Sequence, residues 1–168
     1  LTGGAGENNE IKVAAGGTYD VYLAVDLSKF KLEAVGGSET PEVTPGESSP
    51  WSVSGTFNSW GDLAMVTTTT ANVFVAKNVK LDAYASFKVR KDKAWTENYG
   101  GGIVYMIPGN WIKVYAGGSD ISNTEAGTYD LYFDYVNKRL YMVAAGSDHT
   151  AVSEQTKDGP EPKVEEPE

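Results

Sequence analysis

Residues 126–147 read AGTYDLYFDYVNKRLYMVAAGS. Tyr129, Leu131, Phe133 and Tyr135 fall on one face of an extended chain and Asp130, Tyr132 and Asp134 on the other, the alternation of a half-buried antiparallel strand. A second apolar run, RLYMV, follows after VNK, so the stretch predicts a β-hairpin. It has a twin. GGTYDVYLAVDLSKFKLEAVGG, residues 16–37, aligns with it without a gap at an offset of 110 residues, and Gly17, Thr18, Tyr19, Asp20 and Tyr22 recur as Gly127, Thr128, Tyr129, Asp130 and Tyr132. Self-similarity at that period signals tandem modules. Residues 1–37 then read as the closing hairpin of a preceding module. The competing reading is two hairpins of one larger sandwich that share strand chemistry, since an isolated hairpin is marginal in water.

Outward from these hairpins, helical periodicity is almost absent, because Gly, Thr, Val and Tyr interrupt every window. Residues 38–50, SETPEVTPGESSP, carry three prolines and read as a linker or an extended edge crossing. From Trp51 come short strand candidates in WSVSGTF, LAMVTTTT, NVFVAKNVKL, SFKVRK, IVYMI and WIKVYA before the second hairpin. The pattern predicts an all-β, antiparallel β-sandwich over residues 51–146, with the N-terminal hairpin as an extra element. Residues 147–168 end in TKDGPEPKVEEPE, an acidic, proline-rich tail expected to be disordered and to serve as a linker or spacer.

Composition removes several function classes. The chain of 168 residues has a formal charge of -9 and no Lys/Arg cluster, which argues against nucleic acid and anionic membranes and for a neutral partner. There is no Cys, and the single His149 lies beyond the last strand candidate, so thiolate chemistry, histidine metal sites and a Ser-His-Asp triad are not expected. Asp62, Asp82, Asp92, Glu97 and Asp120 are scattered through turns, where burial would not raise a pKa for general acid work, so no enzyme is predicted. Gly100–Gly102 lacks the Lys-Ser/Thr or helix start of a phosphate loop, and no D-x-D-x-D-G calcium loop occurs. No cofactor is expected. No apolar run reaches the length of a membrane span, and the N-terminus lacks a leader pattern, so the chain reads as already processed or excised.

The aromatic residues point elsewhere. Tyr and Trp make up 14 of the 19 aromatics. Trp60 follows the Asn-Ser pair of FNSWGD, Trp95 sits among charges and glycines in KDKAWTENYGGG, and Trp111 opens a strand after PGN. A tryptophan in a polar loop offers a flat apolar face with hydrogen-bonding neighbours, which matches a sugar ring. In SFKVRK, inward Phe87 and Val89 leave Lys88 and Arg90 on the outer face as donors, and Asn98 adds an amide beside Trp95 and Tyr99. The plain alternatives are a solvated face for Lys88 and Arg90 and an inward turn of Trp111. Trp51 reads as core or as an edge plug.

WSVSGTFNSWGDLAM, SFKVRKDKAWTENYGGG and AGTYDLYFDYVNKRLYMV together resemble, in order, the motifs of starch-binding modules of starch-utilisation-system outer-surface lipoproteins from gut bacteria. FNSWG is also similar to the G-x-F-N-x-W of modules that precede glycogen-branching and debranching enzymes. The resemblance covers Trp51 to Val143, and the closing motif covers Gly16 to Val35 again. It implies a non-catalytic immunoglobulin-like sandwich that holds starch-like α-glucan on an aromatic arc. Trp95 then matches an arc member, Lys88 or Arg90 the polar partner, Trp60 the turn tryptophan and Trp111 a further aromatic, with Asn98 and Tyr99 beside them. The expected setting is extracellular or at a bacterial cell surface, beside neighbouring modules, through a lipoprotein anchor outside this chain and with no membrane insertion by it. The rival from another class is a structural spacer or protein-interaction sandwich.

Overall fold

The computed structural model describes residues 44–163 in full and the backbone of two strands before them, β1 (Tyr19–Leu23) and β2 (Phe30–Ala34). The chain divides into two units, Leu1–Glu42 and Val43–Glu168. In the first unit β1 and β2 pair antiparallel, from Tyr19 opposite Ala34 to Leu23 opposite Phe30. Shifted by the repeat offset, these are the pairings of the C-terminal hairpin, Tyr129 opposite Ala144 through Phe133 opposite Leu140. The likeness read from sequence therefore extends to strand register. The other residues of 1–37, and residues 38–43, lie outside the described residues.

The second unit contains β3 (Ser48–Gly55), β4 (Leu63–Thr67), β5 (Val73–Leu81), β6 (Ser86–Lys91), β7 (Ala94–Gly101), β8 (Tyr105–Met106), β9 (Asn110–Ala116), β10 (Ile121–Asn123), β11 (Gly127–Asp134), β12 (Arg139–Ala144) and β13 (Ser153–Glu154). One ladder runs β9-β12-β11-β5-β4-β3-β6, and β7 pairs with both β6 and β9. Eight strands thus close on themselves, and a closed sheet has no free edge within the ring. The all-β, antiparallel class is as expected. The separate facing sheets of an immunoglobulin-like sandwich are not what these ladders form. The sequence reading missed β7, because its glycines looked like loop, and β3 starts at Ser48, inside the stretch read as linker.

Closure depends on those glycines. Gly100 and Gly101 pair with Tyr115 and Val114 of β9, and the Gly101 amide also donates to Ser119 O at 2.9 Å. A Cβ on Gly100 would strike the carbonyl oxygens of Ser119 and Gly118, and one on Gly118 would sit 2.5 Å from Gly100 O. The backbones approach so closely that no side chain fits.

The repeated Thr-Tyr-Asp has a physical reading in the C-terminal copy. The Tyr129 hydroxyl donates back to Glu125 O at 2.9 Å, a tyrosine corner that pins the entry to β11. Asp130 is buried and accepts from Asn78 N at 2.8 Å and Gly146 N at 2.9 Å. Asn78 has φ 55°, and the β5–β11 register shifts between Tyr129 and Leu131. The carboxylate therefore takes up the amide that this β-bulge leaves unpaired.

Inside the ring, Val53, Phe87, Val89, Ile112, Leu131 and Phe133 are fully buried. Trp51 is core, edge-on to Phe133 at 4.8 Å and beside Tyr99 and Tyr135. The outside also carries an apolar row. Cross-strand pairs place Val66, Val75, Tyr132, Tyr141 and Trp111 side by side over five strands. The segment after β12 crosses this row: His149 stacks on Tyr132 at 4.3 Å and meets Tyr141 edge-on at 5.0 Å. Further on, β13 pairs in parallel with β9, and the Gln155 amide donates to Trp111 O. The Gln155 side chain is buried, accepting from Ile107 N at 2.7 Å and donating to Tyr105 O at 2.7 Å and Lys157 O at 2.8 Å. Asp158 accepts from Val104 N and Tyr105 N. Where composition reads disorder from residue 147, residues 147–163 instead dock by hydrogen bonds to backbone that β9 and the 103–107 segment would otherwise leave bare.

Gly100→Ala should lower the free energy of unfolding by about 3 kcal/mol in urea titration, because the backbone, not a movable side chain, meets the new methyl. Tyr129→Phe should cost about 1 kcal/mol by the same measurement, the loss of one hydrogen bond to a backbone carbonyl.

Candidate functional site

FNSWGD forms the turn between β3 and β4. Asn58 ties it together: its Oδ1 accepts from Gly55 N at 2.9 Å, and its Nδ2 donates to Val53 O and Gly61 O, each at 3.2 Å. Phe57 packs against the core. Ser59 and Trp60 both take the left-handed conformation, with φ 53° and 61°, and the Trp60 amide returns to Gly55 O at 2.7 Å. Left-handed backbone is uncommon outside glycine and costly for a bulky residue. It turns the indole away from the interior.

Trp95 reaches the same place from another hairpin. Asp92 and Lys93, with φ 52° and 56°, make a two-residue turn of the mirror-image type between Lys91 and Ala94, which are paired. Trp95 is thus the second residue of β7 rather than part of an open loop, and it is 44% exposed. Its ring centroid lies 5.9 Å from that of Trp60, with the planes inclined by 60°.

Arg90 joins the two. It is outward-facing on β6, between Ser52 of β3 and Asn98 of β7, yet buried. Its guanidinium carbon is 4.5 Å from the Trp95 ring centroid. Nε donates to Asp62 Oδ1 at 2.8 Å and Nη2 to Trp60 O at 3.3 Å. The Ser52 hydroxyl also donates to Asp62 Oδ1, at 2.7 Å. The Arg90 hydrogen bond holds the Asp62 carboxyl below its usual value, against an opposing push from burial. Two guanidinium nitrogens are thereby directed, and Nη1 has no hydrogen-bond partner among the described residues.

The other predicted residues separate. Asn98 supports the cluster from the next strand: its Nδ2 donates to Trp95 O at 2.7 Å, while its Oδ1 is buried without a partner among the described residues. Lys88 shares Arg90's face opposite Ser54, two pairs further along and away from Trp95, and has no ion pair among the described residues. Tyr99 points inward opposite Val89, packed on Trp51 and Phe133, and has no surface for a ligand. Trp111 belongs to the outer row, 6.1 Å from Tyr141, with the Arg139 guanidinium 4.1 Å over its ring. Along β9 it lies five steps from Ala116, the partner of Tyr99, and the irregular β6–β7 ladder adds about two more to the Ala94 end of β7, which puts it roughly 20 Å from Trp95 along the strands. Asp62 was noticed in the sequence only as a scattered turn acid. Its pairing with Arg90 across 28 positions has no local signal.

No family model matches this chain, and no curated protein does. Among solved structures it is similar to one described as "Ligand induced structure of AmyP-SBD", with a TM-score of 0.45 and 17% identity over 86% of this chain and 99% of that one. At that score the functional reading stands on the cluster's own geometry.

The Asp62 carboxyl has a depressed folded pKa, so its contribution to stability is complete above the unfolded value of about 4 and is lost as pH falls through the folded value. Urea unfolding of Asp62→Asn beside the parent chain should show the variant less stable at neutral pH. The difference should shrink as pH drops below about 4.

Proposed function

We propose that the protein is a non-catalytic glycan-binding module whose Trp60, Trp95 and Arg90 grip a starch-like α-glucan. The observation that carries this reading is the indole pair at 5.9 Å on the outside of the barrel, with a buried, oriented guanidinium against the Trp95 ring. Holding Trp60 left-handed costs on the order of 1–3 kcal/mol, and the Asn58 network sustains it with no core packing in return. Rings inclined by 60° make a bent platform, which follows a coiling α-1,4 chain better than a flat β-1,4 ribbon. Trp60, Arg90 and Trp95 are also the positions that match the starch-binding motifs.

Stacking one sugar ring covers roughly 100 Å² of apolar surface, about 2–3 kcal/mol at ~25 cal/mol/Å². Two rings and a few hydrogen bonds, less association costs, give a dissociation constant on the order of micromolar to millimolar. Such a module tethers polymer for enzymes elsewhere. Repeats of the kind that the N-terminal hairpin suggests would add avidity in a secreted or surface-displayed protein.

Isothermal titration with maltoheptaose should give weak, saturable binding that Trp95→Ala reduces at least tenfold with the circular dichroism spectrum unchanged. Trp111→Ala should leave the affinity within about twofold, since roughly 20 Å along the strands separates it from Trp95. No heat from maltoheptaose or from a panel of other glycans at millimolar ligand would rule the reading out.

A further inference from the structure

A cleft of about 380 Å³ opens on the outer face of β4, β5 and β11, away from β6 and β7, which carry Arg90 and Trp95. Its apolar floor is Val66 and Val75 at the end of the outer row, beside Tyr132, whose ring His149 covers. One wall is the turn after β4, where the Thr68 hydroxyl bonds to Thr70 O and Val73 O and leaves Thr69 at the rim. The other wall is the turn after β12. Asp130 holds it from beneath through Gly146 N, and His149 holds it by stacking on Tyr132. Both walls are therefore braced by contacts that need no ligand, and a preformed site loses little entropy on binding.

The rim chemistry selects the ligand class. Lys77 supplies an ammonium that has no ion pair among the described residues, Asp148 a carboxylate, and Thr69 a hydroxyl. One cation and one anion cancel, so the cleft favours neither sign. Donors and acceptors ring an apolar floor, the complement of a polyol with a C–H face. The volume lies near the lower end of small-ligand pockets, ~300–1,000 Å³, which fits one or two sugar rings rather than a chain running across the surface. We infer that this cleft is a second ligand site, separate from the indole pair, that takes a neutral mono- or disaccharide or the end unit of a glycan chain.

The test uses the ¹⁵N-labelled full chain carrying Trp95→Ala, titrated with glucose and with maltose into the millimolar range. Expected are saturable amide shifts at Thr68, Thr69, Lys77, Gly146 and His149. Lys77→Gln or Thr69→Val, added to that background, should weaken the apparent affinity at least threefold while leaving the rest of the spectrum in place. The absence of shifts at these amides, or shifts that both rim variants leave unchanged, overturns the site. Stronger shifts with inorganic phosphate or glucuronate than with glucose overturn the neutral-sugar assignment. The first site is read separately, from the Trp60 and Trp95 indole N–H signals of the parent chain titrated with maltoheptaose. Failure there leaves the cleft result standing, and the reverse holds too.

Discussion

A close backbone approach in the ring, Gly100 against Gly118 and Ser119, where no Cβ fits, is the constraint on which the rest of the architecture depends. Because neither Gly100 nor Gly118 carries a Cβ, the end of β7 can lie against the turn that follows β9 while it pairs with β9 and closes eight strands into a ring. Closure sets the register of β7 against β6, and register decides which side chains face inward. Tyr99 therefore joins Trp51 and Phe133 in the interior, and Asn98 comes to lie beside Arg90 on the outer face. The β6–β7 hairpin, held at one end by its two-residue turn and at the other by the glycines, delivers Trp95 to Trp60.

Charge then gives the cluster its direction. A guanidinium against the Trp95 indole would be free to swing if its only contact were the ring face. The Asp62 carboxylate and the Trp60 carbonyl take two of its nitrogens, so the third is left pointing. Ser52 adds a donor to the same carboxylate oxygen, which secures Asp62 in turn. A chain of contacts from β3 through the FNSWGD turn to β6 thus orders the polar half of the site, while the hairpin turn orders the apolar half.

Much of the molecule is legible in the sequence because its signals are local. Period-two alternation places Leu131 and Phe133 inside and Tyr132 outside, and the structure agrees. The repeat at 110 residues is visible as text, and the paired registers of the two hairpins extend it. Trp60, Arg90, Trp95 and Asn98 come together in one cluster. The tail misleads, because composition counts prolines and acids but not the particular bonds that Gln155 and Asp158 make to bare backbone. The glycine triplet misleads for the opposite reason. It reads as slack where Gly100 and Gly101 meet neighbouring backbone with no room for a side chain.

What the sequence determined by itself is the all-β class, the hairpins and the outward placement of the site's donors, since each follows from side-chain alternation and turn residues within a few positions. The tertiary structure alone decided that the sheet closes, that Tyr99 is core, that Trp111 lies far from Trp95 and that Asp62 orients Arg90. Those facts depend on which strands pair across long separations, and pairing is settled by the fit of whole faces and backbones that no short window of sequence contains.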